Sequence, residues 1–143
     1  MQLIPDLARL AGIFSQATAP AFFLGAVAGF VSLMSGRLNI IVTRMQKLSR
    51  IGEDHPYHGS LKPDLARLRR RARLLSDGIS AALIAGLAAT VLLAVLFLSE
   101  LVGVHHAYGG AFLFIVATLS LGWGLISFFQ EARLGLAEAD EYE

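Results

Sequence analysis

Two clusters of acidic and histidine residues are the places where this sequence could concentrate chemistry. The first comprises Glu53, Asp54, His55 and His58, inside the turn-rich segment GEDHPYHGSLKP. Carboxylate and imidazole groups so close in sequence can converge on a divalent cation. A solvated turn between two helices explains the same residues, because such turns are polar. We therefore treat the four residues as weak metal candidates and expect no cofactor.

The second cluster, Glu100, His105 and His106, lies in and beside the short segment LVGVHHAYGG. Its imidazoles could bind a metal ion or sense protons near neutral pH. The polarity of a loop outside the membrane is the better account of these residues. The sequence contains no cysteine, which excludes disulfides, thiolate catalysis and cysteine-ligated metals.

Catalytic signatures are missing from the sequence. It contains no nucleophile triad pattern, phosphate-binding loop, dinucleotide fingerprint or zinc motif. The long apolar segments carry no ionisable residue at mid-depth, where catalysis inside a membrane would need one. We therefore expect that the protein is not an enzyme.

Basic residues are concentrated in one part of the chain. Ten of the twelve Lys and Arg residues lie between positions 37 and 73. Nucleic acid is a poor partner for them, since no aromatic residues are interleaved and part of the cluster lies against the membrane. Anionic lipid headgroups are a better partner, at roughly 1 kcal/mol per arginine near the surface. The lipid-binding candidates are Arg67, Arg69, Arg70, Arg71 and Arg73.

Composition indicates an integral membrane protein. Hydrophobic residues make up 55% of the 143 residues and charged residues only 16%, which is too apolar for a soluble domain of this size. We predict an all-α fold with membrane spans at 20–36, 78–101 and 111–129. A short interfacial helix at 1–19 precedes the first span, and a short helical end with an acidic tail, at 130–143, follows the third.

The basic segment 37–77 is predicted to form a cytoplasmic antiparallel helical hairpin that extends the first two spans. Short basic loops stay on the cytoplasmic side, so the N-terminus lies outside and the C-terminus in the cytoplasm. Apolar residues recur at alternating steps of three and four on both arms, as in a coiled coil. The resulting register places Arg37 beside Asp77 as an ion pair. We also expect Glu131 and Arg133 to pair with the basic hairpin.

A stripe of small and weakly polar residues runs beside the apolar seam of the first span. Small residues at such spacing let two helix backbones approach closely in lipid, and polar ones can line a water-filled path. Both roles stay open for the stripe, whose members are Gly25, Ala28, Gly29, Ser32, Ser35 and Asn39.

Four segments together resemble a known family: APAFFLGAVAGFVSLMSGRLNIIV, LARLRRRARLLSDGI, VLFLSEL and SFFQEARLGLAE. They are similar to DUF2721, a family of small bacterial membrane proteins of uncharacterised function. The resemblance covers about residues 15 to 137. It implies a location in the inner membrane and a topology, and it brings no catalytic residues with it.

Two functions are compatible with these patterns. In the first, several copies assemble through the seams and stripes into an ion-conducting pore with a basic cytoplasmic vestibule. In the second, the protein is a non-conducting scaffold or accessory subunit whose hairpin docks a membrane or cytoplasmic protein, or anionic lipid. Both predict a homo-oligomer in the lipid bilayer.

Overall fold

A computed structural model of the chain describes residues 3–54, 58–102 and 107–140. Within these ranges the chain is entirely helical. The helices are α1 (Leu3–Asp54), α2 (His58–Val102) and α3 (Ala107–Asp140). Each contains a stretch long and apolar enough to cross a membrane, within Leu10–Arg50, Pro63–Ser99 and Tyr108–Ala137. The predicted all-helical class with three possible spans is confirmed.

The beginning of the chain differs from the prediction. We expected a separate helix at 1–19 and a new start at Pro20, but α1 runs through this proline without a break. Proline inside a helix removes one backbone hydrogen bond and crowds the preceding turn. Here the Pro20 side chain is buried, and its packing offsets part of that cost.

The other helix ends also extend further than expected. Helix α1 continues to Asp54 and α2 already begins at His58, on either side of the three positions 55–57. Helix α3 continues through Asp140, so the helical end predicted after the third span is longer than expected and includes most of the acidic segment. This extension places Glu131 inside a helix, with a defined facing direction.

The chain forms two compact units, each built from parts of all three helices. The first contains Met1–Phe30 and Ala82–Leu121. Its interior is made largely of alanine, which lets helices approach closely without large side chains. Around Gly86 the nearest side chains are Val27 and Leu24, and the rings of Phe23 and Phe114 lie 6.2 Å apart. The buried alanines of this unit are Ala82, Ala85, Ala88, Ala89 and Ala117.

The second unit contains Val31–Ala81 and Gly122–Glu143. Its largest fully buried side chains are Met34, Leu75 and Glu131. Two of the three are apolar residues of the predicted seams, and the third is a carboxylate. A buried acid needs partners of opposite charge, so this unit also contains a buried ion-pair cluster.

Candidate functional site

A charge cluster joins the three helices of the second unit. Its centre is Glu131 on α3, which receives hydrogen bonds at Oε1 from Arg71 Nε (3.1 Å) and Arg71 Nη2 (2.8 Å). Arg37 on α1 approaches from another side, with Nη2 3.1 Å from Glu131 Oε2 and 3.5 Å from Oε1. The carboxylate of Glu131 therefore contacts one guanidinium group from each of the other two helices.

Helical periodicity explains why these residues meet. Arg37 lies three residues after the buried Met34 and four before the buried Ile41. Arg71 stands in the same way between Leu68 and Leu75, both buried. Residues three and four apart share a helix face, so each arginine projects from the face that packs inward.

On α3 the inward face is marked by Gly124, Ser127 and Glu131, all buried. Ser127 satisfies its hydroxyl by donating to the carbonyl of Trp123 at 3.1 Å. The carboxylate of Glu131 is instead paired with arginines of the other two helices. It therefore depends on groups that the other helices supply.

Burial determines the strength of the cluster. The side chain of Glu131 is 0% exposed, that of Arg71 12% and that of Arg37 36%. Desolvating a carboxylate costs several kcal/mol, and well-placed charged hydrogen bonds must offset the cost. Arg71 supplies two of them, both donated to Oε1 of Glu131. Glu131 Oε2 accepts no hydrogen bond within the described part of the chain, although it faces Arg37 as an ion pair.

Two neighbours shape the surroundings of the arginines. The guanidinium of Arg37 lies over the ring of Phe128, with Cζ 5.2 Å from the ring centroid. Beside Arg71, a Cβ placed on Gly135 would come within 2.8 Å of Nη2. Glycine at this position therefore leaves the guanidinium of Arg71 the room it needs to reach Glu131.

Arg37 has a different partner from the one we predicted. We expected an ion pair with Asp77, but Arg37 contacts Glu131 and the side chain of Asp77 is exposed. Asp77 lies two residues after the buried Leu75, which places it about 200° around the helix. The carboxylate of Asp77 therefore faces away from the packed interior.

The predicted pairing of Glu131 with the basic segment is confirmed, since both of its partners come from residues 37–77. Arg133 behaves differently. Its guanidinium lies over the ring of Phe129 on its own helix, 5.8 Å from the centroid.

The five arginines proposed for lipid binding do not share one environment. Arg71 turns inward to Glu131, and Arg67 also makes an interaction of its own. The remaining three, Arg69, Arg70 and Arg73, are exposed. Together with Leu65 and Ala66 they line an open groove of about 660 Å³ on α2.

The small-residue stripe of α1 is exposed in each unit taken by itself. In the first unit it comprises Gly25, Ala28 and Gly29, and a Cβ added at either glycine would meet nothing within 4 Å. In the second unit, Ser32, Ser35 and Asn39 are likewise exposed. Within the described part of the protomer, no other helix covers this face.

The remaining candidates fall largely outside the described residues. His55, His105 and His106 lie there, as do the side chains of Glu53, Asp54, His58 and Glu100. Among the described side chains, no group of three or more acidic, histidine or cysteine residues is arranged to hold a metal ion.

Comparison with known proteins gave one result. A family model described as "Protein of unknown function (DUF2721)" matches residues 17–140, which is most of the chain. Neither the curated proteins nor the solved structures contain a match.

Proposed function

The chain belongs to the DUF2721 family, and on that premise we propose that it is a homo-oligomeric, multi-pass protein of the bacterial inner membrane that conducts ions. In this proposal the protein is not an enzyme. Its path for ions lies among copies of α1, and its basic segment forms the cytoplasmic entrance.

The exposed stripe on α1 is the observation that carries the proposal. The protein has three helices capable of spanning a membrane, and at most 28% of the most apolar window of any of them is buried. Lipid can cover the exposed apolar side chains. It is a poor solvent for Ser32 and Ser35, which are exposed on the same helix within the predicted span. A second copy of α1, or water enclosed among several copies, satisfies them better.

Charge supports the proposed orientation. The segment between residues 37 and 73 holds most of the basic residues, and such segments remain on the cytoplasmic side. An antiparallel hairpin formed by the end of α1 and the start of α2 is compatible with the placement of Met34 beside Gly78. This arrangement leaves the N-terminus outside the cell and the C-terminus in the cytoplasm.

Self-association is expected to depend on Gly29. Replacing it with leucine places a bulky side chain on the stripe, where a partner helix would need close approach. The Gly29→Leu protein should keep its fold, because nothing within the protomer lies within 4 Å of a Cβ there. In mild detergent, mass measurement should find its oligomer converted largely to monomer.

Ala26→Leu is the matched control for this substitution. Ala26 is exposed on α1 but lies off the stripe, so a leucine side chain at this position should leave the oligomer intact. Equal oligomer content in both variants would argue against the stripe as the interface. A strictly monomeric wild-type protein would remove the proposal altogether.

Conduction is expected to depend on Asn39. Wild-type protein reconstituted in vesicles should carry a measurable ion flux above that of empty vesicles. Asn39→Leu replaces the most polar residue of the stripe by an apolar one, and dewetting of a narrow path should lower the flux at least about tenfold. Ile40→Leu, a conservative change at the neighbouring exposed position, serves as the control.

A second function has its own support in the exposed groove on α2. A basic face of this kind suits a scaffold that docks a membrane or cytoplasmic protein, or anionic lipid. A verified oligomer with no flux in vesicles would favour this function over conduction.

A further inference from the structure

We propose that Arg69, Arg70 and Arg73 form a binding site for the phosphate group of an anionic phospholipid. The site differs from a general basic surface, because these three arginines are exposed, whereas the neighbouring Arg67 and Arg71 already make interactions within the protein. It goes beyond ion conduction and does not require it.

The guanidinium groups of Arg69, Arg70 and Arg73 are available to bind a ligand. All three are exposed and line the same groove, and within the described residues none makes an ion pair or hydrogen bond. Arg71, in the middle of the run, is committed to Glu131 by contacts of 2.8 and 3.1 Å. The alternation follows from helix geometry, since Arg71 lies on the packed face and the other three do not.

The three arginines also lie close enough together on α2 to contact one phosphate group. Arg69 and Arg73 are four residues apart and Arg70 adjoins Arg69, so the three project from one side of α2 within about one turn. Arginine presents a planar fork of donors that fits phosphate oxygens in bidentate fashion. The described lining of the groove contains no acidic residue, so nothing there opposes a phosphate.

The short distance between these arginines and the apolar run of α2 favours a lipid as the source of the phosphate. The long apolar run of α2 begins at Gly78, and at about 1.5 Å per residue Arg73, Arg70 and Arg69 lie about 7.5, 12 and 13.5 Å before it. The headgroup layer extends roughly 5–7 Å beyond the hydrocarbon on each side. Arg73 therefore lies at the outer edge of this layer, and the other two arginines reach a phosphate there through their long side chains.

The test compares lipid retention by native mass spectrometry of the full-length protein in detergent. Phosphatidylglycerol is the probe, phosphatidylcholine the neutral lipid, and inorganic phosphate the water-soluble source of the same group. We expect wild-type protein to retain phosphatidylglycerol in preference to both. Substituting all three arginines, R69Q/R70Q/R73Q, should weaken retention by about a hundredfold, given roughly 1 kcal/mol per arginine.

Arg44, Lys47 and Arg50 provide the matched control, because all three are exposed basic residues on α1. The variant R44Q/K47Q/R50Q removes the same charge and should retain phosphatidylglycerol as the wild type does. In R69K/R70K/R73K the charge is kept, so binding should be partly restored, which also shows that the altered segment still folds. Equal losses in the two glutamine variants would overturn the proposal. So would equal retention of the two lipids, or inorganic phosphate competing as well as the lipid.

Discussion

Glu131→Ala is expected to destabilise the protein by about 3 kcal/mol, among the largest effects of any single substitution in the described residues. The substitution removes the buried carboxylate that the guanidinium of Arg71, which is only 12% exposed, contacts at 2.8 Å. Arg37 is 36% exposed and can recover part of its hydration. We therefore expect a loss of stability at the lower end of the roughly 3–5 kcal/mol that removing one partner of a buried ion pair costs. Reversible unfolding in mixed micelles, followed by helical circular dichroism, measures the loss.

Asp77→Asn is the control for the removal of a negative charge. Asp77 is exposed, and the structure gives Arg37 another partner, so the change in unfolding free energy should stay within about 0.5 kcal/mol. If Asp77→Asn were as damaging as Glu131→Ala, the exposed carboxylate of Asp77 would contribute as much to stability as the buried one, contrary to this prediction.

Non-additivity provides a stricter test of the cluster. Glu131→Met leaves both guanidinium groups without their carboxylate, whereas Glu131→Met combined with Arg71→Met removes the more deeply buried of the two. Replacing a buried ion pair by apolar residues of similar size is often neutral, while removing one partner is not. The double variant should therefore be more stable than Glu131→Met alone. Simple addition of the two losses would show that Arg71 and Glu131 do not act together.

The sequence predicts the helices well because their apolar residues recur so regularly. The seam around Met34 and Leu75 identifies residues that are fully buried in the structure. Helix ends were harder to place. Pro20 would end most helices, yet α1 continues through it with the proline side chain buried in the first unit, and no local pattern reveals that packing.

The charge cluster was predictable in part. An acid two residues beyond the apolar run of α3, at helical spacing from other interior positions, was correctly expected to meet the basic segment. Which arginines it would meet depends on how three helices rotate about their axes. A pairwise register of α1 with α2 omits the third helix, and so it assigned Arg37 to Asp77 when α3 supplies the buried carboxylate.

Gly78→Val is the second substitution with a large expected effect, a loss of about 2–3 kcal/mol through overpacking. Gly78 is buried in the second unit, where the three helices approach closely. A Cβ at this position would overlap Cε of Met34 and lie 3.2 Å from the carbonyl oxygen of Gly124. The methionine can shift its terminal methyl only with difficulty, because its side chain is itself 0% exposed. The backbone oxygen can move only with its helix.

Gly122→Val is the matched control for this prediction. It makes the same change on α3 in the same unit, where an added Cβ would meet nothing within 4 Å. Its effect should be small and of either sign, since glycine is itself a poor helix former. Unfolding in mixed micelles compares the two variants, and equal losses would mean that crowding is not the cause.

Met34 distinguishes crowding at Gly78 from a loss of backbone freedom. Met34→Ala alone should destabilise the protein by creating a cavity, at about 2 kcal/mol or more. In the Gly78→Val background the same change removes the overlapping atoms, and the added methyl groups occupy part of the space that they leave. The double variant should therefore be more stable than the sum of the single losses predicts, by at least about 1 kcal/mol. Additive losses would indicate that the valine at position 78 is destabilising because it crowds the carbonyl oxygen of Gly124 on α3, and not because it overlaps Met34.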